Sequence, residues 1–502
     1  MDVPSADTRP APRELSASWV RVGVPGLLAS SLIAVGALVV GWVAPASDLS
    51  AHPVLVALRE SPPASLAAKT AVIVGAGWLL RTWLSAARGA VGLDVPGARR
   101  LGSMALVWSA PLLVAPVLFS RDVFSYIALS RLQPAGIDPY QHGTGALWTY
   151  LADGADPMWA DSPAPYGPVW LFASSVLFHL TGAEPTAALL GFRLLAFVGV
   201  ALLVVFVPRL ADLAGADPGR ATWLAVLNPL VLFHLTSAAH NDALMAGLLV
   251  AGIATALHRS YVAGVVLVVV AGAIKAPALL ALPFLGLIQV GTGADWWRRL
   301  AAWTRVAVLT ATTMVVLSVT TGLGFGWAAN LATPTKVDTW LSPVTAIGRI
   351  AGALAEAAGL VDADVVLSGV RTVGAVATVA LVGWLLLTAH ARPLLRGIAL
   401  AVLGVVLLGP VVHPWYLMWA LPLLAASGLS RDESRWAVGA SIGVSVYTVA
   451  NASATATSFV TLPDGIAALA AVVVVAGMLI GPVDTRQMLL RRKVPEPAES
   501  RP

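Results

Sequence analysis

Long apolar runs, separated by short polar segments, make up most of the chain from about residue 21 onward. A run of about 20 apolar residues can cross a bilayer as a helix, and unbroken runs lack the alternation of barrel strands. The pattern predicts fourteen spans, with ends defined to within several residues: 21–44, 70–88, 103–119, 185–207, 221–239, 242–257, 260–276, 277–291, 304–324, 364–388, 396–412, 414–429, 436–456 and 464–482. The sequence therefore predicts an all-α, polytopic membrane protein of about 13–14 transmembrane helices.

Two further apolar stretches do not fit a full crossing. The run 168–180 has only about 13 residues, too few to span the hydrocarbon core, and is predicted to lie in or dip into the membrane interface. The stretch 342–360 is ambiguous in the same way. The first run, 21–44, exceeds the core of a signal peptide and is expected to remain as the first helix.

Basic residues predict the orientation, because Lys and Arg collect in cytoplasmic loops. With the N-terminus inside, most of the 31 Lys and Arg fall on the inner side. These inner residues include Arg9, Arg13, Arg88, Arg99, Arg100, Arg209, Arg220, Arg259, Arg298, Arg299, Arg392, Arg396, Arg431, Arg435, Arg491, Arg492 and Lys493. A full crossing at 168–180 would break this asymmetry downstream, which favours an in-plane helix there.

The orientation divides the chain into two tails and one membrane domain. Residues 1–20 and 483–502 are predicted to be cytoplasmic tails, and 21–482 the transmembrane domain. Two large outer segments result, at about 120–184 and 325–362, called outer loops 1 and 2 below. Loops of this size in a compact protein are usually functional.

Composition supports a membrane protein and excludes several kinds of site. Only 11% of residues are charged and 58% are hydrophobic, with a mean hydropathy of +0.82, whereas soluble domains carry roughly 25% charged residues. The net charge of +5 follows from the basic inner loops, so a nucleic-acid partner is not expected. Because the chain has no cysteine, it has no disulfide, thiolate metal site or thiol nucleophile.

Outer loop 1 holds the first group of candidate site residues. They are Arg121, Asp122, Tyr126, Asp138, Tyr140, His142 and Tyr166. Asp122 follows the third predicted span directly, where limited water keeps a carboxylate basic enough to take a proton from a sugar hydroxyl. The alternative is that Asp122 pairs with Arg121 or caps the following helix.

A second group falls on the same predicted face, opposite the basic loops. It comprises His240, Asn241, Asp242, Lys275, Lys336, His413, Trp415 and Tyr416. Lys and His cations can hold a phosphate, carboxylates can orient a hydroxyl, and aromatic rings offer flat surfaces for sugars. The structural alternatives are a helix cap at Asp242, a snorkelling Lys275 and a core histidine at His413.

The order of these motifs resembles the actinobacterial polyprenol-phosphate-mannose-dependent α-1,6-mannosyltransferases of the GT-C glycosyltransferase superfamily. The resemblance rests on six motifs between about residues 100 and 430: Asp122–Tyr126, Gly136–Tyr140, Tyr166–Pro168, His240–Asp242, Lys275–Pro277 and His413–Tyr416. It implies a GT-C-like helical bundle with in-plane helices in outer loop 1. The active site would lie on the outer, periplasmic face of the plasma membrane.

The resemblance also implies a reaction. Mannose would pass from polyprenyl phosphomannose to an α-1,6-mannan lipoglycan, such as the lipomannan or lipoarabinomannan backbone, in one inverting displacement. Asp122 would be the general base, and Lys275, His413 and Lys336 would stabilise the departing lipid phosphate. Asp138, Asn241 and Asp242 would position sugar hydroxyls or hold a divalent cation, Mg²⁺ or Mn²⁺, although no cofactor is expected to be required.

The sequence is also compatible with two other functions. A different GT-C activity, such as arabinofuranosyl or protein mannosyl transfer, would use the same outer site. A transporter or flippase for lipid-linked sugars would need polar residues through its helices and commonly shows an internal repeat. The mid-span positions here are almost wholly apolar, and no repeat is evident.

Overall fold

The computed structural model describes residues 19–182, 184–337 and 339–455, which contain no β-strand. The α-helices in these ranges are α1 (Val24–Val40), α2 (Pro53–Glu60), α3 (Pro62–Ala90), α4 (Val95–Val114), α5 (Asp122–Ser130), α6 (Pro168–Thr181), α7 (Pro185–Leu213), α8 (Pro218–Ala225), α9 (Asp242–His258), α10 (Tyr261–Gly272), α11 (Leu282–Val290), α12 (Trp296–Thr321), α13 (Pro343–Ala357), α14 (Ala363–Leu387), α15 (Leu394–Leu408), α16 (Leu417–Ala426) and α17 (Arg431–Thr455).

Short helices of other types connect them. Two are π-helices, Trp19–Gly23 and Val231–Ser237. The 3₁₀ turns are Asp48–Ala51, Thr144–Ala146, Trp148–Tyr150, Pro157–Trp159, Ala276–Ala281, Gly326–Ala328, Thr333–Lys336, Ala389–Ala391 and Pro414–Tyr416.

Long apolar helices identify a membrane protein. In the described ranges, five are long and apolar enough to cross a bilayer: Val20–Val40, Pro62–Ala90, Pro185–Leu213, Trp296–Thr321 and Ala363–Leu387. The outer surfaces of α12 and α14 are apolar, with Val319 72% and Val379 74% exposed, as expected of helices that face lipid. The prediction of an all-α, multi-pass membrane protein is therefore confirmed.

Several other predicted spans each correspond to one short helix. Apolar helices of 10–17 residues occupy Tyr261–Gly272, Ala276–Val290, Leu394–Leu408 and Pro414–Ala426. A helix of 17 residues measures roughly 25 Å, so these short helices are not counted with the five long ones. The number of long helices is therefore lower than the predicted 13–14 spans. The short run at 168–180 forms α6, of 14 residues. The last predicted span, 464–482, and both predicted tails, apart from residues 19–20, lie outside the described residues.

The predicted span 221–239 is not one helix, and Asn228 accounts for the break. Its buried amide donates to the carbonyl of Leu224 (3.0 Å) and to the Ser441 hydroxyl (2.8 Å), and accepts from the backbone N–H of Leu230 (3.0 Å). Side-chain bonds of this kind compete with the helical ladder. The chain resumes as the π-helix Val231–Ser237, which meets α9 at an angle of 109°. Asp242 becomes the first residue of α9.

The central helices fix which side chains share an end of the bundle. The central helix α7 packs against α4 and α9, and α9 packs against α10 and α16. Asp242 begins α9, whereas His258 ends it and contacts Arg209 at 2.8 Å. Arg220 bonds to Ser434 near the start of α17. These basic residues therefore lie at the end of the helices opposite Asp242, as the predicted loop charges suggest.

Candidate active site

A cavity of about 390 Å³ lies where outer loops 1 and 2 meet the 3₁₀ turn Ala276–Ala281 and the ends of α15 and α16. Six of the predicted site residues line it: Asp122, Tyr166, Lys275, His413, Trp415 and Tyr416. Apolar side chains, among them Leu280, Val405 and Val411, form another part of its wall. Polar groups from distant parts of the sequence thus converge beside an apolar surface.

Asp122 is the first residue of α5 and faces this cavity. Its side chain is 26% exposed, and Oδ2 lies 3.8 Å from Nδ1 of the buried His240. Burial raises the pKa of Asp122 to about 6; nearby Asp242 also raises it, while Lys275 lowers it. A carboxylate with this pKa is ionised at pH 7 and is a stronger base than an ordinary Asp.

Asp242 and Lys275 form an ion pair at the cavity wall. The Lys275 ammonium donates to both carboxylate oxygens at 2.9 Å each, and the indole of Trp419 donates to Oδ1. Asp242 is fully buried, whereas 14% of the Lys275 side chain remains exposed. Lys275 also lies 5.3 Å from the ring centroids of Tyr416 and Trp419. The pair is thus held at a fixed position beside the cavity.

A stack of rings forms the neighbouring wall. His413 stacks on Trp415 with ring centroids 4.5 Å apart, and His240 stacks on the same indole at 3.7 Å. Burial, together with Lys275, lowers the pKa of His413 to about 3. His413 is therefore neutral at pH 7.

Two tyrosines of outer loop 1 lie near Asp122, and Asn241 is a further buried polar residue, next to Asp242 in the sequence. Tyr166 lines the cavity, and burial raises its pKa further above the ordinary range. Tyr126 is buried with its ring edge against Tyr166, at a centroid distance of 5.4 Å. The amide of Asn241 is buried, and neither its oxygen nor its nitrogen has a partner among the described residues. Such buried polar atoms normally bind something, water included.

Asp138, Tyr140 and His142 build outer loop 1 and do not line the cavity. The Asp138 carboxylate accepts from the backbone N–H of Tyr140 at 2.8 Å, and His142 Nδ1 lies 3.3 Å from the Asp138 carbonyl. Tyr140 packs against Gly326, and its carbonyl accepts from Asn330 at 2.9 Å. These residues join the two outer loops.

Arg121 and Lys336 also bind protein groups near the cavity. Arg121 donates to the carbonyls of Gly154 and Ala155, and its guanidinium lies 4.1 Å from the Trp42 ring. Lys336 donates to the hydroxyl of Ser162, a residue of the cavity wall, at 2.9 Å. Arg121 therefore anchors outer loop 1, while Lys336 lies at the rim.

The geometry bears on the structural alternatives for the charged residues. Arg121 does not pair with Asp122, because its guanidinium points to outer loop 1. Lys275 does not extend toward the interface but binds Asp242, and Asp242 serves that pair instead of capping α9. His413 faces the cavity. Lys275 and His413 thus line the cavity, where a ligand would meet them, and Asp242 is the partner that holds Lys275 there.

Comparison with known proteins identifies the family. A family model described as alpha-(1->6)-mannopyranosyltransferase, N-terminal domain, matches residues 23–291, and a second, the MptB C-terminal domain, matches 344–480. The chain belongs to the alpha-(1->6)-mannopyranosyltransferase family. It is a membrane mannosyltransferase, which confirms the predicted family and enzyme class.

Individual relatives agree with this assignment. The chain is 34% identical to a probable alpha-(1->6)-mannopyranosyltransferase of Mycolicibacterium smegmatis, over 71% of this chain and 70% of the relative. It is also 34% identical to alpha-(1->6)-mannopyranosyltransferase A of Mycobacterium tuberculosis, over 74% and 73%. Identity to alpha-(1->6)-mannopyranosyltransferase B of Corynebacterium glutamicum is 29%, over 79% and 69%. No solved structure matches the chain.

Two residues of this mannosyltransferase escaped the sequence interpretation. Trp419 follows Trp415 by four residues, which places both on one helical face, and it donates to Asp242. Arg193 is buried inside α7. Its signal was a single charge inside the long apolar run 185–207, where ionisable residues are functional candidates.

Asp242 is already bound to a cation of the protein. Both oxygens of Asp242 accept from Lys275. Among the described residues, no three His, Asp or Glu side chains form a group that could ligate a metal ion. Lys275 occupies the position beside Asp242 that a metal ion would otherwise take.

Proposed function

We propose that this mannosyltransferase moves mannose from polyprenyl phosphomannose to the 6-hydroxyl of an α-1,6-mannan lipoglycan on the outer face of the plasma membrane. The observation that carries the proposal is one cavity that holds a basic carboxylate, Asp122, and a fixed cation, Lys275, beside an apolar wall. A lipid-linked sugar phosphate offers the matching chemistry. The names of the relatives supply the sugar and the linkage.

Asp122 is the general base in this proposal. As the acceptor 6-hydroxyl attacks the anomeric carbon, the bond from that carbon to the phosphate oxygen breaks, and the hydroxyl proton passes to the Asp122 carboxylate. One displacement inverts the anomeric centre, so a β-linked donor gives an α-linked product. The raised pKa of Asp122 suits this step, since a stronger base is better matched to a weakly acidic alcohol.

Lys275 and His413 stabilise the departing polyprenyl phosphate. Negative charge grows on the bridging phosphate oxygen, and a preorganised ammonium lowers the energy of that charge without reorganising. Asp242 and Trp419 hold Lys275 in place. Neutral His413 contributes an N–H donor instead of a charge.

Aromatic rings hold the sugars and the apolar wall holds the first units of the lipid. Trp415, Tyr416 and Tyr166 present rings to the cavity, and sugar faces pack well on such rings. Leu280, Val405 and Val411 offer a surface on which an isoprenoid chain loses water contact.

The outer-face location rests on one observation and on the proposed donor. The cavity lies at one end of the helices, whereas Arg209, Arg220 and Arg396 lie at the other end. Basic loops are typically cytoplasmic. A lipid-linked donor also suits a compartment without nucleotide sugars. Lipomannan or lipoarabinomannan backbones are acceptors of the proposed kind.

One assay tests the proposal. Purified protein in lipid nanodiscs is incubated with labelled polyprenyl phosphomannose and a synthetic α-1,6-mannoside, and the product linkage is determined by NMR. We expect an α-1,6-linked product from this donor and none from guanosine diphosphate mannose. Transfer only from polyprenyl phosphoarabinofuranose, or only to a peptide hydroxyl, would favour another GT-C activity. Lipid movement across vesicles without product would favour a flippase.

A further inference from the structure

Arg193 is a buried charge that the reaction proposed above does not use. It lies inside the apolar helix α7, and only 1% of it is exposed. In the described part of the chain, no Asp or Glu lies within ion-pair distance of its guanidinium. An uncompensated charge at such a position is unfavourable, so other groups must stabilise it.

Three carbonyl oxygens do so. Nη1 donates to the carbonyls of Leu113 (3.0 Å) and Ala115, and Nη2 donates to that of Ser237 at 2.9 Å. These carbonyls end two helices, α4 (Val95–Val114) and the π-helix Val231–Ser237. The last carbonyls of a helix lack intrahelical donors and carry the negative end of its dipole. The guanidinium thus compensates two helix ends at once, which explains how its charge can be buried.

Both helix ends lead directly to the carboxylates of the site. Two residues other than glycine in the described ranges have a left-handed backbone, Phe119 (φ 71°) and Ala239 (φ 53°). Each precedes an aspartate by three residues, Asp122 and Asp242 respectively. Conformations of this kind persist only where the surroundings hold them.

Other contacts join the same two segments. The hydroxyls of Ser109 and Thr236 are 3.0 Å apart, and the rings of Phe119 and Phe233 have centroids 4.9 Å apart. Arg193 differs from these pairs because it reaches both helix ends from a third helix. Its position therefore relates the two ends to the core of the bundle.

We propose that Arg193 is a positioning residue: by binding the C-terminal carbonyls of α4 and the π-helix, it fixes the placement of Asp122 relative to Asp242. The proposal rests on the role of Asp122 given above. Lys at this position keeps the charge but cannot bind three carbonyls in the same planar geometry. Met has similar length and removes the charge.

The test compares Arg193→Lys and Arg193→Met with the matched control Arg299→Lys. Arg299 also donates to two backbone carbonyls, those of Thr292 and Ala294, but at the end of α12 remote from the cavity. Small misplacements of catalytic groups cost up to about 100-fold in rate. We expect at least a tenfold fall in kcat for both Arg193 variants with little change in acceptor KM, and near-parental kcat for Arg299→Lys. All variants are compared per folded molecule.

A double-variant cycle separates positioning from general destabilisation. If Arg193 acts through Asp122, Arg193→Lys should lower kcat in the parent but hardly at all in Asp122→Asn. An equal fall in both backgrounds, or kcat within twofold of the parent in both Arg193 variants, would overturn the proposal. Near-parental turnover of Asp122→Asn alone would instead overturn the base assignment, and with it the proposal that Arg193 acts through Asp122.

Discussion

Lys275 donates to both carboxylate oxygens of Asp242 while the same side chain lines the cavity. The two residues are 33 positions apart in the sequence and come from the ends of different helices. One residue thus has two functions to separate: it neutralises a buried carboxylate, and it presents a cation to the donor phosphate. Single substitutions combine the two effects, and a paired substitution separates them.

Lys275→Met should destabilise the fold and weaken donor binding. Breaking a buried ion pair from one side costs about 3–5 kcal/mol, because the remaining charge is uncompensated. Lys275→Met/Asp242→Asn should recover most of the thermal midpoint, since no buried charge remains. Donor KM should stay at least about tenfold above the parent in both variants, the expected loss of a charge-assisted phosphate contact. A parental donor KM in the double variant would exclude Lys275 from the donor site.

His413 should act as a neutral hydrogen-bond donor. Because its pKa is lowered to about 3, the ring carries no charge at pH 7. His413→Gln keeps an N–H donor and should retain more donor affinity than His413→Ala. Donor KM, measured with each variant, checks this. Equal loss in Gln and Ala, with a parental donor KM that rises between pH 5 and 7, would indicate a cationic histidine.

Hydropathy predicted the long helices because burial in lipid depends on composition and length alone. The predicted spans 185–207 and 364–388 correspond to α7 and α14, Pro185–Leu213 and Ala363–Leu387. The break inside 221–239 could not be predicted in this way, because it depends on the partners of Asn228 in a distant helix.

The sequence identified chemical groups of the site but not their partners. Asp122, Lys275 and His413 were recognisable as charged or polar residues at helix ends. The pairing of Lys275 with Asp242 and the neutrality of His413 depend on how separate helices pack. Asp138 and His142 were equally suitable by residue type, yet they stabilise outer loop 1 outside the cavity.

The predicted orientation can be measured because the chain has no cysteine. Arg298→Cys lies in the first turn of α12, where the native side chain is 75% exposed. Trp148→Cys lies in outer loop 1, where the native residue is 85% exposed. In intact cells, a membrane-impermeant thiol reagent should label Trp148→Cys and spare Arg298→Cys until the membrane is permeabilised. The reverse pattern would place the cavity on the cytoplasmic side.

The pKa of Asp122 predicts the pH dependence of the reaction. The carboxylate must be ionised to accept a proton, and its pKa is raised to about 6. Therefore kcat/KM should be nearly constant above pH 7 and fall about tenfold per unit well below pH 6. Asp122→Asn should lose this acidic limb. A limb near pH 4 in the parent would contradict the raised pKa, and a limb near pH 6 that persists in Asp122→Asn would belong to another group.

Turnover of Asp122→Asn tests the central claim most directly. Asn keeps the size of the side chain but cannot accept the proton, and general-base catalysis contributes about 10²–10⁴-fold. The raised pKa shows that the environment disfavours the ionised form, so the thermal midpoint at pH 7 should be unchanged or higher. Turnover per folded molecule should fall at least about 100-fold, with near-parental donor binding. Turnover within a few-fold of the parent would show that Asp122 is not the base.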